Sequence, residues 1–214
     1  MPTITIMTTD PDQILHQLFS PAFPVGAFAW SHGLETAIAD GAIRDARTAQ
    51  DWISAALSHG AGWSDAVLAA AAARGEDVAD LAAALAPTAE RRAETLEQGA
   101  AFAATVRAVW SVDIPAAAYP VAVGQTLRAL DLPLGRGLQL MVQGFAANLV
   151  SVTVRAVPLG QSDGQRITAA LLPLIAEIAH HAETSTINDI GGFAPALDIA
   201  SARHEDLESR LFRS

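Results

Sequence analysis

An all-α fold in a single domain, a bundle of roughly eight to ten helices, is what the sequence predicts. Apolar residues recur at three- and four-residue steps along most of the chain. The hydrophobic content, 51%, is drawn mainly from Ala and Leu, with aromatics at only 6%, a bias toward helix over sheet. Period-two alternation is confined to one short strand candidate, residues 3–7. The 214 residues suffice for one large domain with its own core, and no internal repeat or linker divides residues 1–214.

The elements follow in order. Asp10 is a capping residue and Pro11 fits the first helical position, so a helix runs from there to about residue 19 and stops before Pro21. A loop follows, and a second helix covers residues 31–40, ended by Gly41. Thr48-Ala-Gln-Asp51 resembles a capping box and opens a helix that buries Trp52, Ile53, Ala56 and Leu57. Gly60 and Gly62 interrupt it, and the pattern resumes over residues 63–74. A short helix at 76–85 is closed by Pro87. Residues 88–110 place Leu96, Ala100, Ala103, Val106 and Trp110 on one face, and 115–130 form another helix.

The uncharged run 138–154 puts Leu138, Met141, Val142, Phe145, Leu149 and Val152 on one face. It is broken by Gln139, Gln143, Asn148 and Ser151, and a membrane span needs about 20 mostly apolar residues, so a buried central helix is expected. A loop centred on 158–165 leads to a helix over 166–181, and 183–196, with Gly191-Gly192 and Pro195, reads as irregular.

Composition removes whole classes of function. All thirteen basic residues are Arg, so there is no P-loop lysine and no Schiff-base chemistry. With no Cys there is no thiolate nucleophile, CxxC pair or Cys-ligated zinc. A net charge of −10 argues against nucleic-acid binding, which needs phosphate-neutralising cations. The first ten residues lack the charged and apolar regions of a signal peptide, so a cytoplasmic location is expected.

Catalytic and metal patterns are weak. His180 and His181 are adjacent and diverge on a helix; after His204-Glu205 the position that HExxH reserves for His holds Glu208. No GxSxG surrounds Ser31, which has Ala29 two residues before it. A solvated or capping role is the simplest reading of each lone His. A helical hydrolase using Ser31 and His32, or a His-based nickel-binding protein, stand as the alternatives.

Two stretches remain. The loop SPAFPVGAFAWSHGLE at 20–35 carries Phe23, Phe28 and Trp30, which with Phe19 just before it read as core or as partner surface, with neither favoured by composition. The segment 203–214 finishes with Leu211 and Phe212 between Arg210 and Arg213, a pattern suited to docking. Residues 210–214 lie outside every core stripe, so their removal is expected to leave the helical fold intact, and the segment is expected to order on contact with a partner or with the surface around Phe28.

The loop Ser20-Pro-x-x-Pro-Val-Gly-x-Phe-x-x-Ser-x-Gly-Leu-Glu35, the turn Pro158-Leu-Gly-Gln161 and the ending Arg203-His-Glu-x-x-x-x-Arg-Leu-Phe-x-Ser214 together resemble the UreF family of urease accessory proteins. The resemblance implies an all-helical, cytoplasmic, non-catalytic chaperone for the urease nickel centre. It implies a homodimer that bridges the accessory protein UreD (UreH in some organisms) to the GTPase UreG and acts on apo-urease. No cofactor is implied here; GTP and nickel belong to the partner GTPase, in keeping with the absence of Lys.

By position, the resemblance places a partner-binding surface at Phe28, Ser31, Gly33, Leu34 and Glu35, at Leu159, Gly160 and Gln161, and at Arg203, His204, Glu205, Arg210, Leu211, Phe212 and Ser214. Family members often carry Tyr at the positions of Phe28, Trp30 and Glu208, so any contact through those hydroxyls has no counterpart in this chain.

Overall fold

A computed structural model describes residues 10–213, and the strand candidate at 3–7 lies outside them. Among the described residues the regular structure is helical throughout, in ten α-helices. They are α1 (Pro11–Leu18), α2 (Leu34–Ala39), α3 (Ala46–His59), α4 (Ala61–Arg74), α5 (Ala79–Ala84), α6 (Ala89–Trp110), α7 (Tyr119–Ala129), α8 (Leu134–Ala156), α9 (Gln161–Thr184) and α10 (Pro195–Arg203). Short 3₁₀ turns lie at Ala27–Ala29, Ile187–Asp189 and His204–Asp206.

The core is organised around α4, which packs against α3, α7, α8 and α9. From Ala66 to Ala72 every residue of α4 is buried. Runs of Ala leave little side chain between helices, so neighbouring backbones approach closely. At the α4–α7 contact the approach is close enough that a Cβ on Gly124 would collide with the Ala69 carbonyl oxygen. The central apolar helix is α8, whose Leu138, Met141, Val142, Leu149 and Val152 are buried as expected. It is long and apolar enough to cross a membrane by length and composition. Here it packs between α3, α4 and α9 as a core helix.

Several boundaries differ from the sequence reading, each for a local reason. Helix α2 starts at Leu34 rather than residue 31, because His32 and Gly33 have φ of 55° and 74°, left-handed values that a helix cannot contain. The capping box before α3 is Asp45 with Thr48, not Thr48 with Asp51: the Asp45 carboxylate accepts from the Thr48 N–H at 2.8 Å and the Thr48 hydroxyl accepts from the Asp45 N–H at 3.1 Å. Residues 115–118 have no regular structure, and α7 starts at Tyr119 with Pro120 in its first turn. Residues 161–165, expected as loop, are the first turn of α9. Pro195, read as part of an irregular stretch, is the first residue of α10, where its missing N–H costs nothing.

The largest correction concerns α6. In its first three turns Leu96 is only half-buried, against a smaller apolar cluster, and Ala100 is exposed; the helix buries Arg91, Glu94, Thr95 and Gln98, and only then Phe102, Ala103 and Val106. Half of the inward face of this helix is therefore polar, and it fronts the loop at 20–35.

The α4–α7 contact tolerates no added methyl. Gly124→Ala is expected to cost about 1–3 kcal/mol by overpacking and to lower the melting temperature by ~2–4 °C per kcal/mol; thermal denaturation followed by circular dichroism checks it.

Candidate functional site

The loop between α1 and α2 is built to be rigid. Gly26 and Gly33 both take φ of 74°, and a Cβ on Gly33 would sit 2.5 Å from the Ser201 amide nitrogen, so glycine is required where the loop crosses α10. The loop divides the four aromatics: Phe23 and Trp30 are buried at 8% and 3% exposure, Phe19 is half-buried, and Phe28 is 67% exposed. Phe23 packs on Phe102 and Trp110.

The segment after α10 folds back onto this loop, and Glu35 receives it. The Glu35 carboxylate accepts from the Leu211 N–H at 2.6 Å and the Phe212 N–H at 3.1 Å, and faces His204 Nε2 at 3.0 Å. The other His204 nitrogen, Nδ1, lies 2.9 Å from Glu90, which Arg210 also approaches at 3.4 Å. His204 is wholly buried, with a carboxylate facing each of its ring nitrogens.

Beyond this clasp, Phe212 is 6% exposed and joins the main core, with the Arg155 guanidinium 4.5 Å from its ring centroid. Arg155 also donates to the Phe28 carbonyl oxygen at 3.1 Å, so one side chain touches both loop and tail. Arg213 donates through its amide to the Ala29 carbonyl (2.8 Å), stacks over Trp30 (4.3 Å) and pairs with Glu97 through two bonds of 2.6 and 2.9 Å.

The fifteen positions expected at a partner surface therefore separate. Ser31, Leu34, Glu35, His204 and Phe212 are buried, and Gly33 is packed beneath α10; these residues hold the surface from behind. Phe28, Arg203, Glu205, Arg210 and Leu211 are exposed, Leu211 at 75%, and Arg203 pairs with Asp40 at 2.7 Å. Gly160 and Gln161 are exposed at the start of α9, while Leu159 packs on the core. Ser214 lies outside the described residues. Because Phe212 is core, the expectation that removing residues 210–214 spares the fold is overturned. The segment is already docked on its own chain.

Periodicity missed a second cluster behind the loop. His32 Nε2 is 2.8 Å from both Glu94 Oε1 and Arg91 Nη1, Arg91 also pairs with Glu94, and Gln98 donates to Glu94 at 2.7 Å. A solvated role for His32 gives way to a buried one. Burial, and then Arg91, hold its pKa below the ordinary 6.5. Burial pushes Glu94 the other way, but Arg91 and His32 outweigh it and keep that carboxyl below its ordinary value. Asp65 on α4 stands nearby, pushed up to about 6 by burial. All five residues line a cavity of about 570 Å³ beneath the loop, with Phe28 at its rim. Among the described residues, no three His, Asp or Glu side chains converge as a metal site would require. Charges three residues apart at 91 and 94 read equally well as a solvated helix face, so the spacing carried no signal of this cluster.

A helical scaffold whose buried polar contacts fix one loop and one C-terminal segment in a shared, partly apolar surface is the class these features define. The comparisons with known proteins give the family. The family model for UreF matches residues 43–172. The chain is 54% identical over 203 residues to "Urease accessory protein UreF" of Cereibacter sphaeroides (strain KD131 / KCTC 12085), covering 94% of this chain and 97% of that one. It is 48% identical over 214 residues to the protein of the same description in Roseobacter denitrificans, covering 98% and 96%. It is 43% identical over 229 residues to "Urease accessory protein UreF 1" of Brucella abortus biovar 1, across the full length of both. The chain belongs to the UreF family of urease accessory proteins.

Glu35→Gln replaces a charged acceptor that serves two backbone amides, so stability is expected to fall by about 1.5–3 kcal/mol. Phe212→Ala is expected to cost about 3–5 kcal/mol, whereas Leu211→Ala, at an exposed site, stays within about 0.5 kcal/mol. Urea unfolding of the three variants checks the order.

Asp65 supplies a pH test. Its folded pKa of about 6 lies above the ordinary 3.8, so the folded state binds the proton more tightly. The penalty for the charged form is complete above pH 6 and vanishes as pH falls toward 3.8. Asp65→Asn is therefore expected to be more stable than the wild type at pH 8 and equal to it near pH 4, measured as melting temperature against pH. His32, whose lowered pKa weakens the fold below pH 6.5, is present in both proteins and cancels in the difference.

Proposed function

We propose that this chain is a nickel-insertion chaperone of urease maturation, bridging the accessory protein UreD (UreH) to the GTPase UreG in a complex that acts on apo-urease. The observation that carries the reading is the union of loop and tail. Exposed Phe28, Leu211 and Arg210 are mounted on backbone fixed by Glu35, Arg155 and Arg213. A surface held this way loses little conformational freedom when a partner covers it. Relatives described as urease accessory proteins match nearly the whole chain.

In this reading the chain works as a homodimer in the cytoplasm, is not itself an enzyme, and carries neither GTP nor resident nickel. The nucleotide belongs to UreG, since a chain without Lys has no phosphate-loop lysine to offer. Nickel is cargo of the complex. Arg203 and Glu205, and the start of α9 at Gly160 and Gln161, extend the surface offered to partners.

Co-expression with UreD, UreG and apo-urease tests the proposal. The wild type is expected to co-purify with all three and to raise urease activity. Phe28→Asp and Leu211→Asp, both at exposed sites, are expected to retain the helical spectrum. Each should weaken UreD capture roughly 30-fold, the equivalent of a hot-spot loss of about 2 kcal/mol. A wild-type protein that captures neither UreD nor UreG would overturn the bridging role; variants that capture and activate as the wild type does would remove loop and tail from it.

A further inference from the structure

The cavity under the loop has one charged group without a partner. Asp65 lines it from α4, and among the described residues its carboxylate makes no hydrogen bond or ion pair; its neighbours act on it only through charge. The nearby cation is already committed: Arg91 is bound to Glu94 and His32. The other titratable groups around the cavity add no positive charge deep inside it. His32 on the loop is held toward its neutral form by burial, and Tyr119 on α7 keeps its proton because burial, and then Asp65, raise its pKa. His16 of α1 sits at the exposed rim, and His59 and Asp198 border only the adjoining cavity of about 240 Å³ that shares Asp65. Arg91 and Glu94 cancel, and Asp65 leaves one negative charge unanswered.

The walls are aromatic. Phe19, Phe28, Phe145 and Tyr119 line the same space, and ring faces attract cations as a carboxylate does. At about 570 Å³ the cavity falls in the size range of small-ligand sites and has room for a cationic head with its alkyl chain. The exposed ring of Phe28 marks the way in.

We propose that this cavity binds a single organic cation, a guanidinium or alkylammonium group, with the Asp65 carboxylate as its counter-ion and the aromatic walls around its stem. The group enters either on a free small molecule or as an Arg or Lys side chain of another protein, and the chemistry is the same in both. A monovalent cation matches the charge count; a metal ion would face too few converging ligands. Because the charged form of Asp65 is the one that binds, affinity rises with pH through about 6. The site stands on this chain's own residues, independently of the urease complex.

Calorimetric titration of the full-length protein at pH 7.5 tests it, with butylguanidinium chloride, the capped peptide acetyl-Gly-Arg-Gly-amide and nickel(II) chloride as separate probes. Saturable one-to-one binding of butylguanidinium is expected, weakened at least tenfold in Asp65→Asn and at pH 5. The conservative Asp65→Glu should retain part of it, and circular dichroism confirms that each variant is folded. Binding of the peptide as well supports a partner's side chain as the source; binding of butylguanidinium alone supports a free small cation. Equal affinity in Asp65→Asn, saturation by nickel only, or no saturable binding by the wild type overturns the proposal.

Discussion

A carboxylate taken out of water is costly unless every oxygen finds donors, and Glu35 meets that demand with two backbone N–H groups and an imidazole. Those donors come from residues 169 to 177 positions later in the chain. The bonds are charge-assisted and run through a buried region, the setting in which such contacts are strongest. The dependence is mutual. Without the tail, Glu35 would be a buried charge with no partner; without Glu35, the amides of Leu211 and Phe212 would lose theirs. His204 relays the constraint to Glu90 on α6, so α2, α6 and the tail are fixed together.

What the clasp positions is as informative as the clasp itself. Phe212 goes inward and Leu211, next to it, goes outward. Phe28 is turned outward by a loop whose backbone is tied to Arg155, Asn148 and Arg213. The same loop roofs a cavity whose back wall is the polar first half of α6. A helix that buries Arg91, Glu94 and Gln98 gives up apolar burial, and it does so beside the surface that the family reading assigns to partners. The motif at 20–35 and the charged cavity are thus two sides of one loop.

The helices were largely legible in the sequence because their apolar spacing is a local property. The errors fell where local rules compete. Pro195 could end an element or begin one, and it begins α10; Thr48 could be a cap or the third residue of the helix, and it is the latter, answering Asp45. The start of α9 was hidden by Gly164, which reads as loop but packs against Val150 and Val154 of α8, where a side chain would be too large. The candidate site was legible only in part. Resemblance picked out Glu35, His204 and Phe212 as important without revealing that they are buried, since burial there depends on a contact across most of the chain. Asp65, Arg91 and Glu94 carried no motif, and nothing in a three- or four-residue spacing announces that a helix faces its charges inward.

Native-state hydrogen exchange of the Leu211 and Phe212 amides in the isolated protein is the most direct test of the clasp. These amides donate to Glu35 in a segment that would otherwise be expected to fray. Protection comparable to that of core amides in α8 is the predicted result. Exchange at the rate of an unstructured peptide, with the rest of the fold protected, would contradict it, showing that loop and tail are joined only when a partner brings them together.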